Sequence, residues 1–245
     1  MKTNTNRFYL IDSLRGFAVF SMVIYHFVWD LNYVAGVRWG SFSSLYNFLW
    51  QQSICLTFIL ISGFCYHLSR HPLKNSLIAL LCGAAVTLAT ALLTPDSAIW
   101  FGVLTFLGSA MLICLPIRKL LYKIPSGLGF AICFCLFILC YDINDRTLVF
   151  GQIALPSFLY DNMFTAFLGF PPRGFFSADY FSLFPWIFLF LGGFFLGSLI
   201  KRLKEPPSFL FFRVPFFEWI GRHALIIYML HQPLLYGLTL LIGGI

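Results

Sequence analysis

LIDSLRGFAVFSMVIYHFVWDLN, residues 10–32, is long and apolar enough to cross a bilayer, yet it carries Asp12, Arg15, His26 and Asp30. A spanning helix needs about 20 predominantly apolar residues. Each ionisable side chain at membrane depth costs about 2.5–3.5 kcal/mol on insertion scales, so such groups face protein or water, not lipid. Asp12, Arg15, Val19, Met22, His26 and Asp30 follow one another at steps of three, four, three, four and four. At about 100° per residue this is a single helical face. The segment is therefore a helix with one polar stripe turned into a bundle.

The rest of the chain has the same character. Of 245 residues, 60% are hydrophobic and 10% charged, with a mean hydropathy of +0.85. An ordinary soluble domain has a charged share of about 25%. Six more stretches of spanning character follow, at 45–68, 75–93, 98–115, 126–141, 183–200 and 219–242, most of them separated by Pro or charged residues. The expected fold is all-α, a polytopic membrane bundle of about seven transmembrane helices forming one domain over 1–245. The segment 142–181 is too broken by Pro and Gly for a continuous span and reads as an outer, partly re-entrant loop whose aromatic residues suit the membrane interface.

The net charge of +7 raises the question of nucleic acid, and its distribution answers it. With seven alternating spans, Lys2, Arg7, Arg70, Lys74, Arg118, Lys119, Lys123, Lys201, Arg202, Lys204, Arg213 and Arg222 fall on one side. Arg38, Arg146 and Arg173 fall on the other with Asp96, Asp142, Asp145, Asp161 and Asp179. The basic excess marks the cytoplasm, so the amino terminus is expected inside and the carboxyl terminus outside. The partner of the positive charge is membrane topology, and no nucleic acid is expected. The first span also lacks a small-residue cleavage site and is expected to stay in the mature protein. All seven cysteines sit in or beside apolar spans and imply no disulfide framework.

Within the stripe, Asp12 and Arg15 are three residues apart and His26 and Asp30 four, spacings at which helical side chains meet. A carboxylate one turn from an imidazole can fix its tautomer and stabilise its protonated form. Arg15 and His26 lie roughly 16 Å apart along the axis, enough to address two ends of one long ligand. The last span, EWIGRHALIIYMLHQP (218–233), places His231 near mid-membrane with Tyr228 and Gln232 beside it, and Pro233 there kinks a helix and frees backbone carbonyls. Glu218 and Arg222 read as an ion pair at the inner end. His67 and His71 have metal-ligand spacing, but with Arg70 and Lys74 beside them an interfacial role is favoured, and no metal is expected. A bland reading of the stripe, with Asp12 and Arg15 snorkelling and His26 and Asp30 clamping helices, stays open beside a functional one.

RFYLIDSLRGFAVFSMVIYHFVWDLNY (7–33) resembles the first transmembrane segment of the membrane acyltransferases that include heparan-alpha-glucosaminide N-acetyltransferase and a related bacterial family. FILISGFCYHLS (58–69), WFGVLTFLGSAMLICLP (100–116), SADYFSLFPWIFLFLGGFFLG (177–197) and WIGRHALIIYMLHQP (219–233) resemble later blocks of that bacterial family. The separation of Arg15 from His26 is also the arginine–histidine pattern of the acyltransferase-three sugar O-acyltransferases, whose RxxR pair is not evident here. The resemblance implies a multi-pass protein of the bacterial cytoplasmic (inner) membrane. It implies transfer of an acyl group, usually acetyl, from cytoplasmic acyl-CoA to a sugar amine or hydroxyl at the outer face. It puts His26 at the catalytic position and Arg15 at the donor, and His231 matches a histidine of the last span.

Acyl transfer from a thioester needs a base, an oxyanion donor and a positive patch for the CoA phosphates. His26 oriented by Asp30 is the expected base. Arg15 with Asp12 is expected to serve the donor, as are Tyr228, His231 and Gln232, one of which would supply the oxyanion donor. Asp179, Tyr180 and Trp186 are expected on the acceptor side. Acetyl-CoA, a glycan or amino sugar and the lipid bilayer are the expected partners, and a homodimer is left open. The alternative is a proton-coupled transporter or lipid flippase in which the same stripe relays protons.

Overall fold

A computed structural model describes residues 7–37 and 44–243. Lys2 and Arg38, both counted in the charge asymmetry, lie outside the described residues. The helices in chain order are α1 (Tyr9–Tyr33), α2 (Leu45–Cys65), α3 (Pro72–Leu93), α4 (Val103–Leu121), α5 (Ser126–Leu139), α6 (Met163–Leu168), α7 (Trp186–Arg202), α8 (Pro215–Arg222) and α9 (Ala224–Gly243). A two-stranded antiparallel hairpin pairs Thr147 with Ala154 and Leu148 with Ile153. Backbone contacts divide the chain into two compact units, with the boundary inside α2. One is built from the chain up to Ile61 and from Lys204 onward, the other from Ser62–Leu203.

Six helices among the described residues are long and apolar enough to cross a membrane: α1, α2 with the turn that follows it, α3, α4, α5 with the turn that follows it, and α9. The expected polytopic helical bundle is what the chain forms. Helix α7 is as apolar as these but has only 17 residues, about 26 Å of helix against a hydrocarbon core of about 30 Å.

Geometry in the first unit decides whether α7 crosses. Arg15 Nη1, early in α1, donates to the Gly221 carbonyl just before α9 begins. Ala35, just past the end of α1, lies against Gly243 at the end of α9. The two helices thus run in the same direction. If both span the membrane, an odd number of crossings separates them. Helices α2, α3, α4 and α5 supply four candidates, and a crossing by α7 would make the fifth.

The expected last span, 219–242, is divided. The backbone leaves the helix at His223, with φ −105° and ψ 16°, and α8 is a separate short helix. What holds α8 is a close crossing with α1. A Cβ at Gly16 would stand 1.8 Å from the Phe217 carbonyl oxygen, and one at Gly221 would stand 1.9 Å from that of Asp12. Only hydrogen at both positions lets the backbones touch, the small-residue contact by which helices associate where burial from water gives no drive. Val19, Ile220 and Ala224 form the core beside this crossing, with Met22, Phe58, Phe217 and Ile227 packed on it. Leu14, Phe17, Phe20 and Ile24 occupy the exposed face of α1, away from the polar stripe.

In the second unit α3 and α4 pair antiparallel, with Ser76 Oγ donating to the Gly108 carbonyl at 2.7 Å. Helices α5 and α7 pack through Gly129 against Phe195, and Ser126 Oγ donates to Ser198 Oγ at 3.3 Å. Phe106, Phe190 and Phe194 are fully buried. His67 closes the end of α2: its Nε2 lies 2.7 Å from the Phe194 carbonyl and its Nδ1 2.8 Å from the Tyr122 hydroxyl. A carbonyl only accepts, so Nε2 carries the proton and Nδ1 accepts from Tyr122. The segment 142–181 is more ordered than an irregular loop. It holds the hairpin, the short helix α6 capped by reciprocal Asn162–Thr165 bonds, and a hydrogen bond from Tyr160 to the Ile143 carbonyl at 2.5 Å. None of the seven cysteines forms a disulfide among the described residues.

Candidate active site

The residues singled out in α1 and those in the last span come together in the first unit, although about 200 positions separate them. The rings of His26 and His231 lie 5.0 Å apart, centroid to centroid, at 58°. Asp30 is completely buried, and both its carboxylate oxygens accept from Gln232 Nε2, at 3.1 and 3.2 Å. Among the described residues no hydrogen bond joins Asp30 to His26. The expected His26–Asp30 bond is therefore corrected: the i, i+4 spacing places both on one face, but α9 brings an amide to the carboxylate.

His231 is buried, and its Nδ1 lies 2.6 Å from the Tyr228 carbonyl. The carbonyl can only accept, so Nδ1 holds the proton and Nε2 of the neutral ring carries a lone pair. That Nε2 and the Oε1 of Gln232 are buried without a hydrogen-bond partner. Of the three side chains considered as oxyanion donors, neutral His231 has no N–H to offer at Nε2, and Gln232 Nε2 is engaged with Asp30. Tyr228 carries an O–H, its ring 5.4 Å from that of His231.

Toward the start of α1 the polar stripe is ionic. Asp12 lies 2.7 Å from Arg7 Nε and 3.4 Å from Arg15 Nη1. Glu218 of α8 pairs with Arg222 and, at 2.8 Å, with Arg213, whose guanidinium stacks over the Tyr9 ring at 4.4 Å. Four arginines thus face two carboxylates, leaving a net positive cluster.

Burial acts to raise the Glu218 carboxyl, but the Arg213 hydrogen bond and the charges of Arg222, Arg213 and Arg7 outweigh it and hold it below its ordinary 4.5. A group whose value is depressed on folding adds stability that is present above the unfolded value and lost as pH falls through the folded one. The unfolding temperature of the detergent-solubilised protein is accordingly expected to fall as pH drops below 4.5. Glu218→Gln should be less stable near neutrality and should show a shallower acid decline, measured by thermal unfolding from pH 7 to 3.

The acceptor-side residues belong to the second unit. Asp179 Oδ2 lies 3.4 Å from the Val103 N–H at the start of α4. The Tyr180 hydroxyl donates to the Ala166 carbonyl, and burial pushes that phenol above its usual range, which keeps the donor proton in place. Trp186 is buried against Phe137 and Phe181. Two residues the sequence did not single out adjoin this part of α1: Tyr25, its ring 5.9 Å from that of His26, and Trp50, which reaches His26 only through Tyr25. Trp50 of α2 donates from Nε1 to Ser21 Oγ at 2.7 Å and packs on Tyr25 at 5.2 Å. The available signal was a Trp whose N–H needs a partner inside an apolar span.

No match was found among curated proteins or among solved structures. The family model described as heparan-alpha-glucosaminide N-acetyltransferase, catalytic, matches residues 7–233, a range that begins just before α1 and ends just after His231 and Gln232. The chain belongs to this family of membrane acetyltransferases.

Proposed function

We propose that the protein moves an acyl group, acetyl first among them, from cytoplasmic acyl-CoA to a sugar amine or hydroxyl at the outer face of a bacterial inner membrane. The observation that carries this reading is the meeting of His26 with His231 inside the span of the family match.

In the reaction the acceptor nitrogen or oxygen bonds to the thioester carbonyl carbon while its proton passes to His26. The tetrahedral oxyanion takes a hydrogen bond from the Tyr228 hydroxyl. The carbon–sulfur bond then breaks, and His26 returns the proton to the CoA sulfur. Asp30 acts through Gln232, holding that amide in place. Arg15, steadied by Asp12, and the cytoplasmic arginines supply positive charge for the donor phosphates. Asp179 is the acceptor-side group, on a segment that Tyr180 and Trp186 fix in shape.

Purified protein is expected to release free CoA from acetyl-CoA only when an amino sugar or glycan is present, and acetyl-CoA is expected to raise its unfolding temperature. Thioester loss is followed with a thiol reagent. No release with any sugar acceptor, together with no thermal shift, would sink the proposal.

A further inference from the structure

The Gln232 side chain offers opposite chemistry at its two ends. Its Nε2 is committed to both oxygens of a carboxylate that has no exposure to solvent. The reverse amide orientation would set oxygen against oxygen, so Asp30 determines which way the amide faces. Its Oε1 is then turned away from Asp30 and is buried with no hydrogen-bond partner. The neighbouring His231 leaves a second acceptor, Nε2, in the same condition, its tautomer set by the Tyr228 carbonyl. Two buried acceptors that meet no donor among the described residues form an incomplete arrangement, since a desolvated acceptor left unpaired carries a penalty that a ligand donor removes.

Resting on the acyl-transfer reading, we infer that Gln232 is a positioning residue that binds an N–H or O–H of the reacting ligand through Oε1, with Asp30 setting its direction. Two parts of the proposed reactants carry such groups: the amides of the donor's pantetheine arm and the amine or hydroxyls of the acceptor sugar. Both present the same chemistry to Oε1, and His231 Nε2 is a second acceptor one residue away. A role for Asp30 follows that its spacing from His26 did not reveal. The carboxylate orients the ligand's partner, and its removal should be felt as misplacement of substrate.

The test uses the full chain in lipid nanodiscs. Gln232→Leu fills similar space without either polar end. Its KM for acetyl-CoA and for the amino sugar is measured, along with its Kd for desulfo-CoA, which binds as the donor does but lacks the sulfur. We expect a rise of roughly tenfold to a hundredfold in one substrate's KM, larger than any fall in kcat. A parallel rise in the desulfo-CoA Kd assigns the contact to the donor arm, and a rise confined to the sugar assigns it to the acceptor. If both KM values stay at the wild-type level while only the unfolding temperature falls, Gln232 is a structural clamp and the inference is wrong. Should Gln232→Leu fail to insert, Asp30→Asn decides the matter. It removes the carboxylate that fixes the direction of the amide, and is expected to raise the same substrate's KM by roughly threefold or more, beyond any fall in kcat. Both KM values at the wild-type level in Asp30→Asn would overturn the assignment. A wild-type protein that binds neither probe and releases no CoA overturns the acyl-transfer reading and this inference together; normal turnover with an unaffected Gln232→Leu overturns only the latter.

Discussion

His26→Ala protein that inserts and folds like the wild type is expected to lose about 10²–10⁴-fold in kcat for acetyl transfer, the usual contribution of a positioned general base. Its affinity for the donor should change little, because the ring is assigned to the acceptor's proton and not to the CoA phosphates. Steady-state kinetics with a thiol reagent separate the two. The fold gives reason to expect normal insertion. His26 is only partly buried and, among the described residues, makes ring contacts with Tyr25 and His231 and no side-chain hydrogen bond. Removing it leaves the Gln232–Asp30 bond in place. A His26→Ala variant with full activity would transfer the base assignment elsewhere, and His231, with its open Nε2 lone pair, would be the next candidate.

The second large effect is structural. Gly16→Ala places a methyl group 1.8 Å from the Phe217 carbonyl oxygen and 2.8 Å from the Gly221 nitrogen, and neither backbone can yield by a rotamer change. Overpacking of this kind costs about 1–3 kcal/mol or more. The loss should appear as a drop in unfolding temperature together with a loss of turnover, because α8 carries the Glu218 ion cluster and leads directly into α9. Gly221→Ala is expected to do the same from the other side, 1.9 Å from the Asp12 carbonyl oxygen. Gly127→Ala in α5 is the matched control. A Cβ there meets nothing within 4 Å, and removing a glycine from such a site usually stabilises by about 0.4–1 kcal/mol through the unfolded chain. Equal unfolding temperatures for the Gly16 and Gly127 variants would contradict the close crossing.

What was readable in the sequence was local and periodic. The polar stripe of α1 follows from the steps between Asp12, Arg15, His26 and Asp30, and the Asp12–Arg15 and Glu218–Arg222 pairs follow from spacings of three and four. The partner of Asp30 did not follow, because Gln232 stands 202 positions away and no helical period links them. The break at His223 was hidden for a different reason. Residues 219–242 are apolar enough overall to read as one span in spite of Arg222 and His223, and the division comes from docking of α8 on α1 at Gly16 and Gly221, a tertiary contact.

The hairpin within 142–181 ran against local preference. Val149 and Phe150 sit at φ 54° and 57°, where bulky and β-branched side chains are uncommon, so nothing in their identity announced a turn. The apolar stretch read at 183–200 is helix α7 at Trp186–Arg202, shorter at its start because Pro185 and the turn before it precede the helix. Tyr180 and Trp186 were read as acceptor-side residues, but not what holds them. The Ala166 carbonyl and the Phe137 ring lie 14 and 49 positions away, beyond any local period, and only Phe181 is a near neighbour of Trp186.

The central claim is that an acyl group leaves cytoplasmic CoA and appears on a sugar at the opposite face. Sealed vesicles with the cytoplasmic side outward, acetyl-labelled acetyl-CoA outside and an impermeant amino sugar inside, measure it directly. Labelled sugar is expected in the lumen, matched by free CoA outside, unaffected by collapsing the proton gradient and absent in His26→Ala vesicles. Movement of a solute driven by the gradient with no loss of thioester would contradict it and identify the polar stripe as a transport path.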